Sequence, residues 1–72
     1  MKTQLILRLY DALINGEKVG RLEFCKLYSI TERTFYRYIK EINMFFIHHK
    51  RNVVLDVIEP NGEYFVKRID ID

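Results

Sequence analysis

Apolar residues follow two different spacings along this chain of 72 residues. Up to about residue 47 they recur every three or four positions, which is the spacing of one face of a helix. From residue 53 onward the chain is rich in β-branched residues, which is typical of strands. The pattern predicts one domain over residues 1–72, with helices at about 3–15, 21–28 and 32–47 and a β-hairpin at about 53–69.

Polar residues at the helix ends support these boundaries. Thr3 can cap the first helix and Gly16 can end it. Gly20 stands at the N-cap position of the second helix. Thr31 is a strong N-cap for the third helix, because its hydroxyl can accept a hydrogen bond from a first-turn N–H.

The third helix is predicted to have two unlike faces. The apolar face, within a sector about 60° wide, consists of Phe35, Ile39, Ile42 and Phe46. The opposite face consists of Arg33, Arg37, Lys40 and Met44. Tyr38 borders the apolar sector and is therefore expected to be structural. The helix is expected to anchor itself with one face and expose cations on the other.

The hairpin turn is predicted at the Pro-Asn-Gly segment, residues 60–62. Proline presets φ for a turn, and glycine can adopt the positive φ that a bulge requires. Pairing of Glu59 with Glu63 would align Val57 with Phe65 on one face of the hairpin.

The apolar arc of the first helix is wider than the core of so small a domain needs. The same holds for Met44 and Phe45 near the end of the third helix. Two interpretations are open. Either neighbouring elements such as the hairpin cover this surface, or it meets a second copy in a homodimer.

The net charge of +2 is unevenly distributed. Residues 26–51 hold six basic and two acidic side chains, whereas residues 52–72 hold two basic and five acidic ones. A positive central third favours a polyanionic partner.

Catalytic and metal chemistry has little support. Cys25 is the only cysteine, so it forms no intramolecular disulfide, and we expect it to be a small buried thiol. His48 and His49 are adjacent and have no cysteine or carboxylate at ligand spacing. No nucleophile, base and orienting group can be assembled, and no glycine-rich phosphate loop is present. We therefore expect no enzyme activity, no cofactor, no metal and no effector pocket.

The chain is expected to be soluble and cytoplasmic, without a membrane partner. No window of the sequence approaches the length of an apolar membrane span. Asp11 interrupts the first apolar run too early for a signal peptide.

The segment VGRLEFCKLYSITERTFYRYIKEI (19–42) resembles the helix-turn-helix of DeoR-like and WYL-type bacterial transcriptional regulators, and of the related biotin-repressor head. The residues that match the motif of these families are Val19, Phe24-Cys25, Ser29-Ile30, Thr31, Thr34, Arg37 and Ile39. Three features depart from it. Tyr38 stands where the families usually have Asp, Leu22 replaces a polar residue, and the hairpin turn is acidic.

The resemblance implies an α+β winged helix-turn-helix, with three helices followed by a two-stranded β-hairpin wing. It implies sequence-specific binding of double-stranded DNA as a transcriptional regulator, with residues 32–46 in the major groove. The implied DNA-binding residues are Thr31, Arg33, Thr34, Tyr36, Arg37 and Lys40, with Lys50 and Arg51 adding backbone contacts. Arg33 and Tyr36 are expected at base edges, and Thr31, Arg37 and Lys40 at phosphates.

A protein-binding module is the alternative hypothesis. The acidic turn between Glu59 and Glu63 would be repelled by phosphates, and the chain is rich in aromatic residues. In this interpretation the cations of the third helix recognise an acidic protein surface, and duplex DNA is bound weakly.

Overall fold

The fold combines three helices with a small antiparallel sheet. The computed structural model describes residues 2–50 and 52–69, apart from the side chains of Lys2 and Thr3. The elements in chain order are α1 (Lys2–Ile14), β1 (Val19–Gly20), α2 (Arg21–Tyr28), α3 (Glu32–His49), β2 (Val53–Ile58) and β3 (Glu63–Arg68). The strands are arranged in the order β1-β3-β2. The α+β winged-helix arrangement expected from the sequence is confirmed.

Glycine ends the first helix, as predicted. Gly16 has a φ of 87°, and the N–H of Glu17 donates to the carbonyl of Ala12 at 3.0 Å. This is the backbone pattern that closes a helix on a left-handed residue. The helix begins at Lys2, so Thr3 lies inside its first turn and the prediction of Thr3 as the N-cap is wrong.

A short turn joins α2 to α3. Ser29 adopts a left-handed conformation with φ 55°, and the N–H of Ile30 donates to the carbonyl of Cys25 at 3.0 Å. Thr31 then caps α3, because its Oγ1 accepts from the N–H of Thr34 at 3.2 Å. These two caps set the angle between α2 and α3 within three residues of chain.

Helix α3 is two residues longer than predicted and includes His48 and His49. The N–H of Lys50 donates to the carbonyl of Phe46 at 2.8 Å and ends the helix there.

The core lies where the helices meet the sheet. The buried apolar residues are Leu9, Leu13, Phe24, Cys25, Phe35, Tyr38, Ile42, Phe46 and Val53. Three of the four predicted inner residues of α3 are among them, but Ile39 is only partly buried and Tyr38 takes its place. Helix α1 packs on the Tyr38 side of α3, where the ring of Tyr10 lies 5.6 Å from that of Phe45. The buried thiol expected for Cys25 is confirmed.

The hairpin register differs by one residue from the prediction. Ile58 pairs with Glu63, and the N–H of Gly62 donates to the carbonyl of Ile58 at 2.9 Å. The loop therefore has four residues, whereas pairing of Glu59 with Glu63 would leave three. Local turn residues allow both lengths, so packing on the helices decides between them.

The shift changes which side chains of β3 face the core. Val57 pairs with Tyr64 rather than with Phe65. Tyr64 and Val66 pack against the core, while Phe65 lies on the opposite face of the sheet, because neighbouring residues of a strand alternate.

A third strand was not predicted. β1 pairs with β3 through Val19 with Tyr64 and Gly20 with Glu63. The adjoining N–H of Arg21 donates to the carbonyl of Gly62 at 2.9 Å. The start of α2 is thereby joined directly to the β2–β3 hairpin, which is the predicted wing. Its loop, residues 59–62, is the wing turn.

Replacing Tyr38 with Phe is expected to stabilise the protein. The hydroxyl of Tyr38 is buried and has no hydrogen-bond partner among the described residues, so it loses hydration without compensation. We expect the free energy of unfolding to rise by about 1 kcal/mol and the melting temperature by about 4–8 °C, measured by circular dichroism. Tyr28→Phe, at a half-buried position of α2, is the control and should change little. A lower melting temperature for Tyr38→Phe would contradict the prediction.

Candidate nucleic-acid interface

Three long cationic side chains form an exposed ridge on α3. Arg33, Arg37 and Lys40 are all exposed. At 100° per residue they fall within about 60° of one another around the helix. Phe35 and Ile42, on the opposite side, are buried, so the core holds the helix in the rotation that exposes this cationic ridge.

The N-terminal turn of α3 lies at one end of the cationic ridge. The hydroxyl of Thr31 donates to Oγ1 of Thr34 at 3.1 Å, so these two predicted contact residues are hydrogen-bonded to each other. Unpaired N–H groups at a helix N-terminus attract anions. Here the carboxylate of Glu32, in the first turn, opposes that attraction.

Tyr36 is held by Arg21, a residue that no sequence pattern indicates as functional. Nη1 of Arg21 donates to the hydroxyl of Tyr36 at 2.7 Å, and the guanidinium lies 5.9 Å from the centre of its ring. Nε of Arg21 lies 2.9 Å from Oε1 of Glu32 and forms an ion pair with it. Tyr36 remains 44% exposed. These three residues, the Arg21 cluster, join the start of α2 to the first turns of α3.

The Arg21 cluster also contacts the wing. The backbone N–H of Arg21 donates to the carbonyl of Gly62, and a Cβ built on Gly62 would lie 3.3 Å from Cζ of Arg21. One arginine thus fixes the wing turn relative to α3. No sequence signal identified it, because Arg21 and Tyr36 are separated by 15 positions.

The protonated form of the Arg21 side chain is stabilised by its surroundings. The hydrogen bond with Tyr36 raises the pKa of the Arg21 guanidinium above its ordinary value, and the carboxylates of Glu32 and Glu59 add to this. The guanidinium in turn offsets part of the negative charge of the wing turn. The acidic wing noted in the sequence is therefore partly compensated at its base.

The remaining predicted contacts lie apart from the cationic ridge. Lys50 is exposed, but it follows Lys40, the nearest cation of the ridge, by ten positions, which places it about 15 Å further along the helix axis. The structure does not bring it to the ridge. Arg51 lies outside the described residues.

The histidines of α3 are exposed. Within residues 2–50 and 52–69, no group of three or more His, Cys, Asp or Glu side chains is arranged to hold a metal ion.

In the same part of the chain, no helix is both long enough and apolar enough to cross a bilayer.

Comparisons of the chain with protein-family models, with curated proteins and with solved structures find no match. A functional proposal for this protein therefore rests on the chemistry and geometry of its own residues.

Replacing Gly62 with Ala tests the link between the wing and Arg21. A φ of 68° costs a side-chain-bearing residue roughly 1–2 kcal/mol, and the new methyl group would also crowd the side chain of Arg21, with Cζ at 3.3 Å. Gly16→Ala is a matched control, since its φ is 87° but nothing lies within 4 Å of the added Cβ. In urea unfolding we expect the larger loss of stability for Gly62→Ala, with faster amide exchange at the wing turn. Equal losses and unchanged exchange would contradict this role of Arg21.

Proposed function

We propose that this protein binds double-stranded DNA in a sequence-specific manner, as a transcriptional regulator of the bacterial type, with α3 in the major groove. The observation that carries the proposal is the cationic ridge on a helix whose opposite face is buried. A regulator of this type shares the cytoplasm with the chromosome, and the proposal includes that location.

The dimensions and chemistry of α3 suit the major groove. The groove admits one α-helix, and arginine makes a bidentate pair of hydrogen bonds with guanine. N-terminal residues of a recognition helix approach the base edges. Arg33, in the first turn, is therefore proposed to contact bases, and Arg37 and Lys40 to contact phosphates.

The polar residues around the ridge have supporting roles in this proposal. Thr31 and Thr34 lie at the end of α3 that enters the groove. Tyr36 presents its ring edge to the DNA while its hydroxyl accepts from Arg21. The wing turn contributes no phosphate contact, because the exposed carboxylate of Glu59 repels DNA.

A protein-binding role is the second candidate. Leu22 and Leu27 on α2 are exposed, and the wing turn is acidic. In that role the cationic ridge binds an acidic protein surface, and affinity for duplex DNA is weak at physiological salt. Titration against random-sequence duplexes at two salt concentrations distinguishes the two roles. DNA binding by phosphate neutralisation weakens steeply with salt.

Two substitutions on the ridge should have different consequences. Arg33→Ala is expected to relax base preference at one position, with a cost of about 1–3 kcal/mol for the preferred base. Lys40→Ala is expected to weaken binding to all sequences alike and to reduce the salt slope by about 1. Both are measured by fluorescence anisotropy with duplexes selected from a random pool.

Lys18→Ala is the control, since Lys18 is an exposed cation outside α3, and it should bind as the wild type does. If Arg33→Ala and Lys40→Ala also bind as the wild type does, α3 is not the DNA-reading helix. If the wild type selects no duplex at low salt, the protein-binding role is favoured instead.

A further inference from the structure

An apolar groove runs along the surface between α1 and α3. It is lined by Ile6, Leu7, Tyr10, Glu41, Ile42 and Phe45. Leu7 is 59% exposed and Phe45 is 43% exposed. The rings of Tyr10 and Phe45 meet edge to face, so Phe45 forms one wall of the groove and does not fill it. No other part of the described chain covers this surface.

We propose that a second copy of this chain occupies the groove, in an antiparallel contact between the two α3 helices centred on Phe45. The resulting two-fold dimer presents both cationic ridges on one side. This inference rests on the proposed DNA-binding function, which it extends from one half-site to two.

Complementary hydrogen-bonding groups support a second copy as the occupant. Glu41, Phe45 and His49 are spaced four residues apart and therefore follow one ridge of the α3 surface. The rings of Phe45 and His49 lie 4.8 Å apart along it. When two such ridges run antiparallel about Phe45, Glu41 of each copy faces His49 of the other. A carboxylate accepts hydrogen bonds, and an imidazole N–H donates one, so the surface complements itself.

The orientation of the two cationic ridges in this dimer also allows both to contact one DNA duplex. At 100° per residue, Phe45 lies between about 80° and 140° around α3 from the three cations of the ridge. A two-fold axis that exchanges antiparallel helices is perpendicular to the line joining them, or 90° from the contact direction. Both cationic ridges therefore point roughly along the axis and toward the same side, where one duplex can contact both.

The same contact determines the distance between the N-terminal ends of the two α3 helices, where Arg33 lies. Arg33 precedes Phe45 by 12 residues, or about 18 Å at 1.5 Å per residue. In an antiparallel pair the two Arg33 positions lie about 36 Å apart, and a helix crossing near −50° shortens this to about 33 Å. Successive half-sites on one face of B-DNA are about 34–36 Å apart. The groove contact thus places the helices at the distance that DNA requires.

Sedimentation equilibrium of the whole chain tests the dimer without DNA. We expect the wild type to dimerise, and Leu7→Lys and Phe45→Glu each to raise the dimer dissociation constant about tenfold or more, because each buries an unpaired charge at the contact. Leu27→Lys is the matched control: Leu27 is 72% exposed on α2, outside the groove, and its replacement should leave the dissociation constant unchanged. Circular dichroism checks that each variant is folded.

A charge exchange tests the antiparallel arrangement, using side chains that are both exposed. Glu41→Lys replaces the carboxylate acceptor with a second donor, and His49→Glu places two carboxylates opposite each other, so each should weaken the dimer about threefold or more. The double variant should return toward the wild-type value. A wild type that stays monomeric, equal effects of Leu7→Lys and Leu27→Lys, or a double variant weaker than both single ones would overturn the proposal.

Selection from a random duplex pool separates this inference from the proposed function. The wild type is expected to select inverted half-sites with centres about 10 base pairs apart, and Leu7→Lys to select single half-sites. A monomeric wild type that selects single half-sites overturns the dimer alone. A wild type that dimerises but selects no duplex overturns the DNA-binding function, and with it the role assigned to this dimer.

Discussion

The packing of aromatic rings around Phe35 is the contact on which the rest of the structure depends. Phe35 is fully buried, with the ring of Phe24 from α2 at 5.6 Å and the ring of Tyr64 from β3 at 5.4 Å. Aromatic pairs at such distances add directional packing to apolar burial. Because Phe35 joins both helices of the turn to the sheet, it fixes the rotation of α3. The exposure of Arg33 and Arg37 is a consequence of that rotation.

Arg21 is the polar counterpart of this aromatic core. Its side chain holds Glu32 and Tyr36, and its backbone holds Gly62. A packed aromatic core restricts rotation of α3 about its own axis but leaves the position of the wing less defined. The hydrogen bond between Arg21 and Gly62 fixes the position of the wing turn. Positioning of the candidate interface therefore needs both contacts, one apolar and one polar.

Features that depend only on neighbouring residues in the sequence were predicted correctly. The Thr31 cap, the end of α1 at Gly16 and the bounds of α2 depend on residues within one turn of each site. The hairpin register could not be predicted, because the turn residues allow loops of three or four residues and only the burial of Tyr64 selects between them. The short strand at Val19 gains stability only from a distant partner. Tyr36 was expected to contact base edges, but its hydrogen bond with Arg21 could not be predicted, because it depends on tertiary structure.

If the protein binds DNA as proposed, the number of DNA contacts that one copy can make connects the acidic wing with the apolar groove. Nonspecific affinity depends on the number of phosphates that cations neutralise. In that proposal a wing that carries Glu59 adds none, so the phosphate contacts of a single copy come from Arg37 and Lys40, while Arg33 contacts bases. Linking two such surfaces makes the second binding event effectively intramolecular and raises the total affinity without any new type of contact. A domain with few cations per copy can therefore bind DNA tightly when its exposed groove at Phe45 serves to pair two copies.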